Sequence, residues 1–488
     1  MTFEKALAMV KADPEGAAKA LCDLSEMVES LRQTVKALER EVAKLSKNSS
    51  NSSKPPSSDI TKPKRKPHNS GKEGEKRKKG GQPGHPKHER PPFREEEIDK
   101  PYDYVLDHCP DCGGEVRLIE GAPNVLQQME IKEIVVVKEE HRSYPVLCEK
   151  CKQVHYMELP AEVVEAGLFK ERITALVAYM KCVCHASYST IRKFIRDVLG
   201  EKVSRGYLAK VIQKVSRSLD GPYQELLDLI PLETTVNVDE TGHKENGENF
   251  WTWVFKAELY VLFKIDKSRG SKVLIDVLGE QFKGVIGSDY FSAYRKYMKD
   301  FHVLIQFCIA HLIRDLRFLV GLPDAETREY GRKLLDAVKE MFRVIHDRDN
   351  MSKCAFKAAL EESRRTIIRI GCRDAPSRLG KDGKEEKREA QNMAERFRKH
   401  GDAYFQFITT PAIGPTNNAA ERALRFIVMD RHVTQGTRSA QGRQANERLR
   451  RVIGACLLQG PSAFEFILTA VKAYFHGAPA PSLLPDRG

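Results

Sequence analysis

Between Thr234 and Val320 the apolar residues alternate between strand and helix periods in an order that few folds accommodate. Thr234 to Val238 reads as a strand that leads into Asp239-Glu240-Thr241-Gly242. Phe250 to Phe255 and Leu259 to Ile265 read as two further strands joined by a short turn, and Ser271 to Leu278 as a helix. Gly284 to Gly287 is a short apolar strand ending in Ser288-Asp289-Tyr290. Val303 to Phe307 is a fifth strand, followed by a basic helix from about Ala310 to Val320. Two acids, Asp239 and Asp289, thus stand where the first and fourth strands end, and sites in open sheets gather at strand ends.

Three strands in succession, then a helix and alternating strands and helices, is the order of a ribonuclease H-like core. Chemistry on a phosphodiester calls for two divalent cations ~3.5–4 Å apart, and hard cations of that kind take carboxylates. Asp239 and Asp289 supply two carboxylates. A third is expected on a helix packed against the sheet, and Asn417-Asn418-Ala419-Ala420-Glu421-Arg422-Ala423-Leu424-Arg425 offers Glu421 one turn inside a helix capped by Thr416 or Asn417. Taken singly, each acid is more often a solvated or capping residue. Glu240 alternates to the opposite face of its strand, where a local ion pair is expected. Cys308 and His311 read as positioning groups beside the site, or as a buried thiol and a capping histidine. Arg314, Arg317, Arg422, Arg425 and Arg431 read as phosphate clamps or as a solvated basic face. Of Trp251 and Trp253, one is expected in the core and one near the surface.

Upstream the chain changes character several times. Leu21, Leu24, Val28, Leu31, Val35, Leu38, Val42 and Leu45 alternate three-four spacings, a narrow seam that suits pairing of two helices better than docking on a globular body. The Ser/Asn/Pro-rich run from Ser46 to Asp59 cannot build a core and reads as a linker. It leads into a basic arm containing Lys64-Arg65-Lys66 and Lys76-Arg77-Lys78-Lys79. Between Lys54 and Arg90 there are 12 Lys and Arg against 4 Asp and Glu, a net +8 of the chain's +13. Such a segment suits contact with nucleic-acid phosphates, the alternative being a solvated tail. Cys109-Pro110-Asp111-Cys112 and Cys148-Glu149-Lys150-Cys151 lie 35 residues apart and supply the four thiolates of one tetrahedral structural Zn²⁺, with a strand expected from Met129 to Val137 between them. From Ala161 to about Leu229 the pattern is helical. One apolar stripe runs Leu168, Ile173, Leu176, Val177, Met180, a second helix spans Ser189 to Leu199, and a third begins near Arg205, capped by Ser204. The last two fit a helix-turn-helix or an all-helical connector.

The basic balance, with a sequence pI near 9.1, points to an anionic partner. No apolar stretch approaches the ~20 residues of a membrane span. Residues 1–5 lack the layout of a secretory signal, and eleven scattered cysteines suit a reducing cytosol better than a disulfide scaffold.

Together several motifs resemble those of the insertion-sequence 66 transposase family, in the family's order over roughly residues 20 to 455. They are the Ser46–Asp59 run, Gly80-Gly81-Gln82-Pro83-Gly84-His85, the two cysteine knuckles, Val238-Asp239-Glu240-Thr241, Ser288-Asp289, Cys308-Ile309-Ala310-His311 and Asn417 to Arg425. The chain departs from the family's habit at Ile309, where Trp is usual, and at Gly242 and Phe426, where Pro is frequent. The resemblance implies that Asp239, Asp289 and Glu421 are the metal ligands of a DDE transposase, holding two Mg²⁺ or Mn²⁺ per active site. It also implies that about Leu322 to Lys399 is a helical insertion before the last acid. The spacing agrees, since Asp239 to Asp289 is 50 residues and Asp289 to Glu421 is 132.

The expected fold is a multidomain α/β chain. Its parts are an N-terminal coiled-coil helix (1–47), a basic arm (48–100), a zinc ribbon (101–160) and a helical DNA-binding segment (161–230). A catalytic core (231–322 and 401–476) split by the insertion (323–400) and a disordered tail (477–488) complete it. The expected function is transposition of a bacterial insertion sequence from a cytoplasmic, nucleoid-associated location, with double-stranded transposon ends and target DNA as partners. A homo-oligomer is expected, and whether accessory proteins of the same element take part is left open. Lys64, Arg65, Lys66, Arg77, Lys78, Lys79, Arg314, Arg422 and Arg425 are the expected DNA contacts. The other readings are a ribonuclease H-like nuclease that does not transpose, and a zinc-ribbon regulator with an idle core.

Overall fold

The computed structural model describes residues 3–45, 47, 91–108, 110–115, 117, 125–128, 136–373, 378–379, 385–386, 389–410 and 412–484. The chain divides into two compact units, Met1–Pro63 with His141–Gly488, and Lys64–Glu140. In the smaller unit a bridge between His108 and Glu115 brackets Cys112, and Gly113 takes the positive φ (73°) that the turn requires. The Gln127 side chain closes onto Phe93, accepting its N–H (2.7 Å) and donating to its carbonyl (3.2 Å). Lys64, Arg65, Lys66, Arg77, Lys78, Lys79, Cys109 and the strand expected over most of Met129–Val137 lie outside the described residues.

In the larger unit, α1 (Phe3–Ala12) stops at Asp13, whose carboxylate accepts the Gly16 N–H (2.9 Å), and Pro14 opens α2 (Pro14–Leu45). The heptad residues all lie on α2 and are exposed, Leu31 by 59% and Leu38 by 57%. A hairpin of β1 (Pro145–Leu147) and β2 (Val154–Tyr156) carries Cys148 and Cys151 in its turn. Five helices follow, α3 (Ala161–Ala166), α4 (Glu171–Cys182), α5 (Tyr188–Leu199), α6 (Arg205–Ser218) and α7 (Asp220–Leu229). Gly200 ends α5 in the left-handed region, and Ser204 caps α6 by accepting the Tyr207 N–H (3.0 Å). Leu168, expected in the apolar stripe, falls in the break between α3 and α4 and is exposed.

A five-stranded sheet follows: β3 (Thr235–Glu245), β4 (Glu248–Lys256), β5 (Val261–Asp266), β6 (Val285–Ser288) and β7 (Leu304–Phe307), in the order β5-β4-β3-β6-β7. Asn246 and Gly247, both at positive φ, make the β3–β4 hairpin turn, so β3–β4 and β4–β5 are antiparallel. The α8 helix (Lys272–Leu278) and α9 helix (Ser292–Phe301) carry the crossovers that make β3–β6 and β6–β7 parallel. The α10 helix (Ile309–Val320) follows β7. The insertion holds α11 (Ala325–His346), α12 (Lys353–Gly371), the two-residue strands β8 (Arg378–Leu379) and β9 (Glu385–Glu386), and α13 (Glu389–His400). The chain closes with α14 (Gln406–Thr409), α15 (Asn418–Thr434), α16 (Ala440–Gln459) and α17 (Ala463–Phe475).

The two faces of the sheet are covered differently. Val236, Val238, Trp253 and Phe255 point to one face and join Val273, Leu274, Tyr294 and Tyr297 of α8 and α9 in the main apolar cluster. Val254, Val261 and Phe263 point to the other, where Ala420, Leu424 and Ile427, the apolar stripe of α15, cover them. The last helix returns to the helical segment. Arg217 of α6 donates to the Tyr474 hydroxyl (2.9 Å), and Tyr179 of α4 meets Phe464 edge-on. The expected disordered tail is a correction through Leu484: Leu483 is buried, its carbonyl accepts from Gln459 (2.9 Å), and Ser482 donates to Glu225 (2.6 Å). An apolar Leu483-Leu484 pair gains more by packing than the short segment loses in freedom.

Candidate active site

Asp239 does not end its strand, as the sequence suggested, because β3 runs on to Glu245. What ends is the parallel ladder. Its last pair is Asn237 with Gly287, so Asp239 and Asp289 each stand two residues beyond the same register point. That places both on the face where Asn237 lies, the face covered by α15, and the strands part here because α9 turns away after Asp289. The Asp289 carboxylate accepts the Phe291 N–H (2.9 Å), which fixes that turn. Glu421 sits in the first turn of α15, beside the stripe that packs on β4 and β5. Three elements far apart in sequence therefore bring their acids to one end of one sheet face.

Burial pushes the Asp239 carboxyl well above its ordinary range, and the charges of Glu240, Asp289 and Glu421 push it further. Asp289 is pushed up to about 7, first by burial and then by the charge of Glu240, against the Phe291 N–H, Arg269 and Arg396, which favour its ionised form. The Glu421 Oε1 is buried without a hydrogen-bond partner, 3.7 Å from His311 Nδ1 and 3.6 Å from Arg314 Nη2. Crowded carboxylates with raised protonation and an orphaned oxygen are a donor set that a hard divalent cation fits.

A second donor set overlaps the first. Cys308, His311 and Glu421 bring one ligand atom each within 4.8 Å of one another. Burial pushes the Cys308 thiol up to about 11, and its sulfur already accepts the Asn417 N–H (3.2 Å), so this thiol is a poor source of thiolate. Burial and Arg314 hold the His311 imidazole neutral, its pKa lowered to about 4. Arg314 Nη1 lies 3.2 Å from His311 Nε2, so Arg314 and His311 together brace Glu421 from the α10 side.

Asn417 has a larger part than the cap expected of it. It stands at the N-cap of α15, yet its side chain makes no capping bond. It is buried, and its Nδ2 donates to the Val238 carbonyl (2.8 Å), an acceptor that β6 no longer reaches. Its Oδ1 accepts from Asn237 (2.8 Å), its N–H reaches Cys308 Sγ, and its carbonyl accepts the Glu421 N–H (3.2 Å). One side chain and its peptide thus tie together the strand of Asp239, the start of α10 and the turn of Glu421. Gly287 makes room for this, since a Cβ there would stand 2.3 Å from Asn237 Nδ2.

The scan against protein families matches residues 166–445, more than half of the chain, to the Transposase IS66 family. The chain belongs to that family. The matched span holds Asp239, Asp289, Glu421 and the whole insertion. Residues 11–91 match a family of unknown function (DUF6444), and among curated proteins none matches.

In this IS66-family chain the other expected residues divide by environment. Glu240 faces the opposite side of the sheet from Asp239, accepting Arg269 Nε (3.0 Å) and Nη2 (2.9 Å) and the Tyr294 hydroxyl (2.5 Å). Arg422 and Arg425 are exposed on α15, whereas Arg431 is spent on the Gly242 carbonyl and Thr241 Oγ1 (3.3 Å), fastening α15 to β3. Arg396 of the insertion pairs with Asp315 of α10 (2.8 Å) and covers the Tyr290 ring beside Asp289. Trp253 is buried and Trp251 half-buried under Arg269. At the cysteine knuckle of the larger unit, hydrogen bonds from the Cys151 backbone and side chain lower the Cys148 pKa, and Cys151 Sγ lies 3.7 Å from His155 Nε2. Cys112 belongs to the smaller unit. Among the described residues no helix is long and apolar enough to cross a membrane.

Proposed function

We propose that this chain is a DDE transposase that cuts double-stranded DNA at transposon ends and joins the freed ends to target DNA, in a ribonuclease H-like core. The observation that carries this reading is the convergence of Asp239, Asp289 and Glu421, from three separated elements, on one end of one sheet face. The strand order β5-β4-β3-β6-β7, antiparallel on one side and parallel on the other, supports the ribonuclease H-like assignment. Asp239, Asp289 and Glu421 would hold two Mg²⁺ or Mn²⁺ ions, which when bound activate the attacking oxygen and stabilise the leaving one.

The chain's own residues do the positioning. Asn417 sets the place of Glu421 against the Asp239 strand, and Arg314 with neutral His311 holds the Glu421 carboxylate from behind. Exposed Arg422 and Arg425 flank it and hold DNA phosphates. Water attacks the first phosphodiester, forming a P–O bond as the bond to the 3′ oxygen breaks. The freed 3′-hydroxyl then attacks a target phosphodiester, forming a new P–O bond as that phosphate's bond to the target strand's 3′ oxygen breaks and leaves a target 3′-hydroxyl. The basic arm with Lys64, Arg65, Lys66, Arg77, Lys78 and Lys79 adds salt-dependent affinity. The α5–α6 pair serves as a helix-turn-helix. Cys109, Cys112, Cys148 and Cys151 hold one structural Zn²⁺, which elemental analysis would count. The exposed seam of α2 pairs with a second copy, so that Leu31→Lys with Leu38→Lys yields monomers in sedimentation.

The test is cleavage of a duplex bearing the element's own terminal sequence, with Mg²⁺. Wild type is expected to nick it, and Asp239→Asn, Asp289→Asn and Glu421→Gln to bind it without nicking. Near-normal nicking by any of the three removes that residue from the site.

A further inference from the structure

A cavity of about 280 Å³ opens beside α15, lined by Val261 and Phe263 of β5, Ala423 and Phe426 of α15, and Leu457 and Leu458 of α16. The volume is near the lower end of the ~300–1,000 Å³ typical of ligand pockets. Its walls are largely apolar, but three cations also line it: Arg450 pairs with Asp430 (2.8 Å), Lys256 donates to the Glu258 carbonyl (3.4 Å), and neither Lys256 nor Arg422 makes an ion pair among the described residues. Burial and the charge of Arg422 lower the Lys256 pKa, against the charge of Glu258, which raises it. Leu457 is 66% exposed, an apolar side chain left facing solvent.

The pocket's place relative to the acids follows from register. Lys256 pairs with Asn237 and Val254 with Asp239, so Lys256 is on the same sheet face as Asp239, one strand across and two residues along. Strand spacing and rise put their Cα atoms about 8 Å apart. Arg422 directly follows Glu421. A strand held at the acids would therefore pass the pocket within a few nucleotides of the bond being cut.

We infer that this pocket takes a single unstacked nucleobase of the cut strand, with Lys256 and Arg422 holding the phosphates on either side of it. An aromatic base fits an apolar slot walled in part by half-buried Phe426, which also meets the His185 ring (centroids 5.1 Å), and its two phosphates match Lys256 and Arg422, the lining cations outside ion pairs. A purely apolar occupant would leave Arg422 without a counter-charge and Lys256 with only Glu258 nearby. The inference rests on the cleavage reading, since the strand reaches the pocket by way of the acids.

The experiment uses the full chain and a duplex of the element's terminal sequence, with 2-aminopurine placed singly at each of three positions on either side of the cut. Without Mg²⁺, one position should brighten several-fold on binding as its base leaves the stack. Leu457→Glu, which sets a carboxylate beside the phosphates at an exposed position, should abolish that gain. Phe426→Ala should reduce binding about tenfold. An abasic nucleotide at the responsive position should remove the difference between Leu457→Glu and wild type. The inference is overturned if no position brightens, or if Leu457→Glu keeps the full signal. It is overturned equally if Leu457→Glu breaks an oligomer while the base signal stays, because a second copy then covers the pocket. A wild type that nicks with Mg²⁺ but brightens nowhere defeats the pocket alone. One that brightens but never nicks defeats the cleavage reading and leaves the pocket.

Discussion

Asp239 and Glu240 are neighbours on one strand, yet the two sheet faces treat their charges in opposite ways. Glu240 is buried against Arg269 and the Tyr294 hydroxyl, so its carboxylate is hydrogen-bonded on both oxygens. Asp239 has the Glu240 N–H (2.8 Å) and, beyond that, the repulsion of other acids. One face buries a charge and satisfies it; the other gathers charges and leaves them wanting a cation. Burial of an acid is therefore a poor mark of function by itself, and what surrounds it decides.

The largest effect that would sharpen this contrast is on activity. Asn417→Ala should lower nicking about a hundredfold, the cost of misplacing Glu421 by roughly an ångström. It should also raise the Mg²⁺ concentration needed for half-maximal rate. DNA affinity should stay as in wild type. A merely structural Asn417 would lower the melting temperature without moving the Mg²⁺ requirement.

Next in size is the stability of the satisfied face. Glu240→Ala strands Arg269 and the Tyr294 hydroxyl and should cost about 2–3 kcal/mol. That is below the full cost of a broken buried pair, because Arg269 is 29% exposed. Asp239→Ala should cost less, or raise the melting temperature of metal-free protein, since it removes repulsion. Equal losses in urea unfolding of the two variants would break the comparison.

The smallest effect is on pH. With a folded pKa near 7, above the unfolded value of roughly 4, Asp289 keeps its proton longer in the folded chain. Its contribution to stability is then lost as pH rises from about 4 to about 7. Metal-free protein should melt lower at pH 8 than at pH 5 on this account, and added Mg²⁺ should raise the melting temperature more at pH 8. A Mg²⁺ effect that is greater at pH 5 contradicts it.

The strands and their succession along the chain were legible because β-branched and aromatic runs alternate clearly from Thr235 to Phe307, and Asp239 and Asp289 stood out beside them; the order β5-β4-β3-β6-β7 is set by pairing between distant strands. The opposite facing of Glu240 followed from strand period alone. Other features were not legible for physical reasons. The reach of β3 to Glu245 depends on its hairpin partner β4, since Thr241-Gly242-His243 has no strand signature of its own. The α9 helix hides in the sequence because its buried face is made of Tyr294 and Tyr297 set among charged residues. Asn417 read as a cap because N-caps are local, whereas its actual partners, Val238 and Asn237, lie about 180 residues away. The family resemblance named the motif around Glu421, but only packing gives Asn417 its task.

The most direct measurement counts Mn²⁺ bound to the full chain by electron paramagnetic resonance, with terminal DNA present and the chain held at pH 8. Two strongly bound ions are expected for wild type and for Glu240→Gln, and fewer for Asp239→Asn and for Glu421→Gln. An unchanged count in Asp239→Asn, or a loss confined to Glu240→Gln, would contradict the assignment of the metal to the face of Asp239.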